Sequence, residues 1–211
     1  MDGNNRWSIK KKISKFSGYK YGANKLLRLA DYIFKNYNIP FLSAFALSSH
    51  NLKRSNKFIE TFNSVLNYYL KDYDKFNINY KIKFIGDLSF IRSSIMKEKL
   101  NLIQNKNSLS KNTLLIFINY SGTKDIINAI PLIENIKSNK FNFSKYLMTK
   151  DFPDPDLLIR TGGYQRISDY MLFQISFTDL IFTKKLWPDL SNKDIDIFIE
   201  KYNKIEKKFG L

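Results

Sequence analysis

The segment Pro155-Asp156-Leu157-Leu158-Ile159-Arg160-Thr161-Gly162-Gly163, running on through Tyr164 into Gln165-Arg166-Ile167-Ser168, joins an apolar run to two arginines, a glycine pair and a hydroxyl. Leu157, Leu158 and Ile159 read as a short buried strand. Arginine carries a planar fork of donors that matches phosphate oxygens, and paired glycines let backbone approach an anion closely. Ligands in α/β sheets bind at the carboxyl ends of strands. The segment therefore predicts an anion site there. A plain strand-turn-helix with surface arginines is the alternative that the segment alone leaves open.

Outward from this point, apolar runs and helical patterns alternate. Ala23, Leu26, Leu27, Ala30, Ile33 and Phe34 fall at helical spacing. Pro40 to Leu47, Tyr80 to Ile85, Thr113 to Ile118, Asp156 to Arg160 and Leu180 to Phe182 read as strands. Helices are expected over Asn56 to Tyr73, Ile91 to Gln104, Asp125 to Ile136 and Asp194 to Lys208, with Pro131 forcing a kink or a late start in the third. Strands alternating with helices predict an α/β fold with a mainly parallel central sheet flanked by helices. No repeat or Pro/Gly-rich linker divides the 211 residues, and 44% hydrophobic content suits a single domain over 1–211.

Composition excludes several kinds of chemistry. There is no cysteine, so no disulfide, thiolate nucleophile or sulfur-ligated metal is available, and His50 is the only histidine, which excludes a multi-histidine metal site. No apolar run approaches the roughly 18 residues that span a bilayer, and no signal peptide precedes the first residues. A cytoplasmic protein is expected. The formal charge of +16 arises mostly from lysines dispersed among Asn, Ile, Phe and Tyr, as an AT-rich coding sequence produces. A nucleic-acid-binding protein would cluster such charge on one face with exposed aromatics, so no nucleic-acid partner is expected. The densest cluster is Lys10-Lys11-Lys12. A basic surface also attracts diphosphates and the anionic face of a membrane, so transient peripheral contact with a membrane surface is expected.

The chain opens Met1-Asp2-Gly3-Asn4-Asn5-Arg6-Trp7. Together with Asp156-Leu157-Leu158-Ile159-Arg160-Thr161-Gly162-Gly163 and Gln165-Arg166-Ile167-Ser168, this resembles the cis-prenyltransferase family, whose bacterial type is undecaprenyl diphosphate synthase. Five further segments carry the resemblance in order: Gly18-Tyr19-Lys20-Tyr21-Gly22 in place of a G-H-x-x-G turn, Ala46 to Arg54, Ile85-Gly86-Asp87, Asn119-Tyr120-Ser121-Gly122 and Leu186-Trp187-Pro188-Asp189. The resemblance implies condensation of isopentenyl diphosphate with an allylic diphosphate such as farnesyl diphosphate, in cis geometry, with release of diphosphate. It also implies a long polyprenyl diphosphate for use as a lipid carrier, Mg2+ as cofactor and a homodimer. A hydrophobic tunnel is implied between the sheet and two long helices, at about 56–73 and 89–105.

The physical demand of such a reaction is neutralisation of a leaving diphosphate, for which electrostatic stabilisation is commonly the largest catalytic contribution. By resemblance, Asp2 handles magnesium at the allylic diphosphate, and Gly3, Asn4, Asn5 and Arg6 present donors to the same phosphates. Trp7 is implied near the allylic chain. Asn51 is implied in proton removal; an amide is a poor base, so its role is to orient a proton acceptor. Ser48 and Ser49 line the site, and Arg54 contacts the allylic diphosphate. Arg160, Arg166, Ile167 and Ser168 form the isopentenyl diphosphate grip, where bidentate geometry explains the arginines. Asp179 stands where the family has a metal-proximal glutamate.

The chain departs from the family pattern in several places. Tyr19 replaces a histidine, Lys15 an arginine, Leu52 a tryptophan, and both His50 and Tyr164 replace glutamates. Lys208-Phe209-Gly210 resembles a terminal R-x-G that reaches the partner subunit's substrate. His50 is read as a solvated loop histidine. Relatives carry a buried apolar strand just before the first motif, so a central strand is expected to be missing, with Asp2 on a fraying end; a misassigned start site is the simplest explanation. Two rivals stand beside the enzyme. One is a silent subunit supporting an active partner, which typically lacks the aspartate found here at Asp2. The other is the basic nucleic-acid binder.

Overall fold

Thr113–Tyr120 is apolar along nearly its whole length, the pattern of a strand covered on both faces. In the computed structural model, which describes residues 1–52, 56–133 and 141–206, this strand is the centre of a parallel sheet. Numbered in chain order, the sheet contains β1 (Phe41–Ser48), β2 (Lys81–Ile85) and β3 (Thr113–Tyr120), in the order β1-β3-β2. Phe41 pairs with Thr113 and Lys81 with the same residue from the other side.

Alternation of side chains gives β3 two cores. Leu114 meets Leu26, Leu29, Ala30 and Ile33 of α2 (Lys15–Asn36), together with Ile195 and Phe198 of α7 (Asn192–Asn203). Leu115 and Phe117 point the other way, into Ile85, Tyr120, Tyr170 and Met171. Helices α4 (Asn56–Lys71) and α5 (Ser94–Asn105) pack near β2, where Leu70, Leu100 and Ile103 join the larger cluster. Helix α7 begins with a capping box in which Ser191 and Asp194 satisfy each other's backbone N–H groups.

The expected single sheet is two sheets. β4 (Leu157–Arg160) and β5 (Asp179–Phe182) form a separate parallel pair, with Leu157 opposite Asp179 and Arg160 opposite Phe182. Between β1 and β4 lies a slot lined by Phe41 to Ala46 on one side and Leu157 to Arg160 on the other, part of a cleft of about 1360 Å³. No strand among the described residues bridges the two edges.

Local boundaries also differ from expectation. The Gly18 to Gly22 segment is no turn but lies inside α2, which starts at Lys15. Glycines four apart share one helix face, and here they admit α1 (Asn4–Lys10). A Cβ on Gly18 would stand 2.6 Å from Ser8 Cβ, and one on Gly22 would run into the Asn4 side chain. Helix α6 (Gly122–Ala129) begins earlier than expected, capped by Ser121, and gives way to a 3-10 turn at Ile130–Leu132 because Pro131 has no N–H to donate. The expected continuation to Ile136 lies outside the described residues, whereas the last helix stops at Asn203, short of the expected Lys208, with Lys204 as its C-cap. No helix among the described residues is long and apolar enough to cross a membrane.

Candidate active site

The carboxyl ends of β1 and β4 open on the same cleft, as ligand sites in α/β folds do. From the β1 side come Ser48, His50 and Asn51, the last two on the short helix α3 (Ser49–Leu52). From the β4 side come Arg160, Thr161, Tyr164, Arg166, Ile167 and Ser168. Asp2, Gly3, Asn4, Asn5 and Arg6 form the third wall, with Tyr19 beside them.

Asp2 is firmly held, contrary to the expected fraying end. Its N–H donates to Thr161 Oγ1 at 2.9 Å, and its carbonyl accepts from the Thr161 hydroxyl at 3.0 Å and from the Trp187 N–H at 2.9 Å. Three bonds to distant parts of the chain replace the neighbouring strand as its anchor.

The Asp2 carboxylate faces two guanidinium groups. Arg160 Nη2 lies 3.2 Å from one oxygen and Arg6 Nη2 3.4 Å from the other. Arg160 also donates through Nη1 to Ser168 Oγ at 2.7 Å and to the Arg166 carbonyl. The Gly162 backbone has φ of +91°, and a Cβ there would lie 2.5 Å from Arg6 Nη2 and 3.1 Å from Asp2 Cγ. Only glycine allows the loop to lie this close to the carboxylate–guanidinium cluster.

Opposite, His50 Nε2 stands 3.6 Å from Asp169 Oδ2, with its side chain 68% exposed. Asp169 ties this wall together. It accepts from the Thr123 N–H at 2.8 Å and hydroxyl at 2.7 Å, and from Ser121 Oγ. Burial pushes the Asp169 carboxyl up, but the bonds from Ser121 and Thr123, with His50 nearby, outweigh it and hold the group below the usual carboxylate range.

Several expected site residues lie elsewhere. Trp7 does not line the cleft: it is buried, stacked on Tyr21 at 4.6 Å, with its indole N–H donating to Asp189 at 2.7 Å. Ser49, Leu52 and Lys15 are also off its lining, and Lys10, Lys11 and Lys12 are exposed at the end of α1. Asp179 opens β5, three residues before the position paired with Arg160, on the order of 10 Å away along the strand. It is not among the residues lining the cleft. Arg54 and Lys208 lie outside the described residues.

Behind Tyr19 and Asn4, which line both spaces, lies a second, apolar cavity of about 140 Å³. Its walls are Ala23, Leu26 and Leu27 of α2, Phe62, Val65 and Leu66 of α4, and Ile82, Phe84, Ile116 and Ile118 of the sheet. The expected second wall, α5, supplies only Ile103, because α2 takes that position. Phe117 lies in the opposite core. Thr161 and Asp169 escaped sequence reasoning; their only local signal was adjacency to Arg160 and Ser168.

A cleft that gathers three arginines, beside an apolar cavity that shares Asn4 and Tyr19 with it, matches what comparison with known proteins gives. The family described as "Putative undecaprenyl diphosphate synthase" matches residues 1–210. The chain belongs to the cis-prenyltransferase family of isoprenyl transferases. It is 36% identical to an isoprenyl transferase of Fusobacterium nucleatum over 217 aligned positions, covering 100% of this chain and 93% of that one. It is equally close to one from Rickettsia prowazekii, covering 95% of that protein. Among solved structures, a probable undecaprenyl diphosphate synthase from Campylobacter jejuni superposes with a TM-score of 0.75 at 27% identity, over 90% of this chain and 92% of that one. A lavandulyl diphosphate synthase from Lavandula x intermedia, in complex with dimethylallyl diphosphate, shares the fold with a TM-score of 0.89 at 24% identity, over 100% of this chain and 95% of that one. The chain is thus an isoprenyl transferase enzyme, similar to undecaprenyl diphosphate synthase.

Proposed function

We propose that this enzyme condenses isopentenyl diphosphate with an allylic diphosphate in cis, giving a long-chain polyprenyl diphosphate of undecaprenyl-like size. The observation that carries the proposal is the junction at Asn4 and Tyr19, where the arginine-rich cleft meets the apolar cavity. A diphosphate and a hydrocarbon chain on one molecule need these two environments side by side. The complex of the lavender enzyme with dimethylallyl diphosphate supports an allylic diphosphate as one substrate.

In this proposal Arg160, Arg166 and Ser168 grip isopentenyl diphosphate, and Arg6 with the backbone of Gly3 to Asn5 receives the allylic diphosphate. Asn51 orients the proton acceptor at the condensing carbon. The donor set fits magnesium. Mg2+ is usually held by one or two carboxylates and completes its shell with phosphate oxygens and water. Asp2 offers such a carboxylate, more than a third exposed, and the Oδ1 atom of Asn5 is buried without a partner among the described residues. The described residues hold no group of three or more acidic, histidine or cysteine ligands, so most of the shell comes from substrate and water. When bound, the ion neutralises the departing diphosphate.

Each added five-carbon unit is drawn into the apolar cavity by about 4 kcal/mol, at about 0.8 kcal/mol per CH2. The cavity of about 140 Å³ is small beside a long polyprenyl chain, so further growth requires its walls, which include Phe62 and Phe84, to give way. Two copies of the chain are proposed to pair, as the family resemblance implies. Residues 1–211 act as one domain. Incubation with radiolabelled isopentenyl diphosphate, farnesyl diphosphate and magnesium tests the proposal. Label should pass into solvent-extractable product only when all three are present; no extractable product under any primer removes it.

A further inference from the structure

Three guanidinium groups from three separate places converge on one aromatic ring. The central carbons of Arg166, Arg6 and Arg160 lie 4.5, 5.2 and 5.8 Å from the centroid of the Tyr164 ring. Arg6 comes from α1, Arg160 from the end of β4, and Arg166 from the loop beyond. Like charges this close repel, and an aromatic face attracts cations within about 6 Å of its centroid. Asp2 offsets the charge of Arg6 and Arg160. No carboxylate among the described residues pairs with Arg166, whose contact with the ring is the closest of the three. The loop is fixed for this purpose: the Gly162 N–H donates to the Lys185 carbonyl at 2.8 Å and the Gly163 N–H to the Thr183 carbonyl at 2.9 Å.

We propose that Tyr164 is a positioning residue that gathers Arg6, Arg160 and Arg166 into one diphosphate-binding cluster before substrate arrives. Its ring takes the place that a carboxylate would otherwise fill, and does so without competing with phosphate for the arginines. A carboxylate would have to surrender its ion pairs when a diphosphate binds; the quadrupole of a ring keeps attracting the cations. The Tyr164 hydroxyl makes no hydrogen bond among the described residues, so the ring face is the part that acts. This inference rests on the diphosphate site proposed above, and its test separates the two.

Titration calorimetry with inorganic diphosphate and magnesium, on the full chain, reads the cluster without turnover. The parent binds; Tyr164→Phe binds within about twofold of it, and Tyr164→Leu binds about fivefold or more weakly, the equivalent of a lost cation–ring contact. In turnover assays Tyr164→Leu raises KM for isopentenyl diphosphate while kcat moves less, and Tyr164→Phe restores the parental values. Tyr164 is 46% exposed, so the variants should fold; Tyr164→Gln serves as a second ring-less variant, expected to match Tyr164→Leu. Parental binding with equal affinity in Tyr164→Leu or Tyr164→Gln overturns the role of Tyr164 and leaves the diphosphate site standing. Weakening in Tyr164→Phe as large as in Tyr164→Leu also overturns it, since the hydroxyl would then be the active part. No binding by the parent overturns both.

Discussion

Replacing Arg160 by alanine removes the group that joins the cleft's parts. Its guanidinium holds Ser168 Oγ at 2.7 Å, the Asp2 carboxylate at 3.2 Å and the Arg166 carbonyl, and its side chain is only 14% exposed. A hydrogen bond to a charged group contributes about 1.5–3 kcal/mol. At about 1.4 kcal/mol per tenfold, Arg160→Ala should raise KM for isopentenyl diphosphate by about 10- to 150-fold. Arg160→Lys keeps the charge but not the fork, so it should fall between parent and alanine. The Asp2 carboxylate is 37% exposed, so the lost ion pair costs less than about 1 kcal/mol, and with the lost bonds to Ser168 and the Arg166 carbonyl, at about 1 kcal/mol each, the melting temperature should fall by several degrees. Steady-state kinetics with each substrate varied in turn, beside thermal unfolding, measures all of this. A KM for isopentenyl diphosphate within twofold of the parent would refute the assignment of Arg160 to substrate. A larger loss for the allylic substrate would place it in the other subsite.

Asp2→Ala should lower kcat by about 100-fold or more while the fold persists, the usual scale for losing one electrostatic stabiliser; comparable turnover at saturating magnesium contradicts the assignment. Phe62→Ala opens the wall of the apolar cavity and should shift products to longer chains, read by chromatography of the dephosphorylated lipids. Burial pushes the Asp194 carboxyl up, but its bonds with Lys185 and Ser191 outweigh this and hold it below its ordinary range, as the bonds to Asp169 do for that residue. A group with a depressed folded pKa stabilises the fold above its unfolded value of about 3.9, and that contribution is lost as pH falls through the folded value. The urea midpoint should therefore drop between pH 5 and pH 3, with a shallower drop in Asp194→Asn; identical acid profiles for parent and variant would contradict it.

Much of the fold was legible because buried parallel strands announce themselves. The continuous apolar run in Thr113–Tyr120 needed no tertiary knowledge, whereas the strand before Arg160, expected to be buried, is only half-buried because it lines the slot. Helical periodicity showed which face of α2, α4 and α5 is apolar, but not what each faces, so α2 rather than α5 walls the cavity. Gly18 and Gly22 read locally as punctuation, whereas their small size serves a contact with α1. The site's core was legible in the spacing around Arg160. The bond of Trp7 to Asp189, 182 residues away, was beyond any local signal. The convergence of three arginines on Tyr164 joins elements that only the folded chain brings together.

The most direct measurement is the structure of the product itself. Purified protein, supplied with farnesyl diphosphate, isopentenyl diphosphate and magnesium, should yield a polyprenyl diphosphate whose added units carry cis double bonds by NMR. Its length by reverse-phase chromatography should lie near the undecaprenyl standard. A product of only three or four isoprene units, or added units with trans geometry, would contradict the proposed growth of a cis chain from the arginine-rich cleft into the apolar cavity.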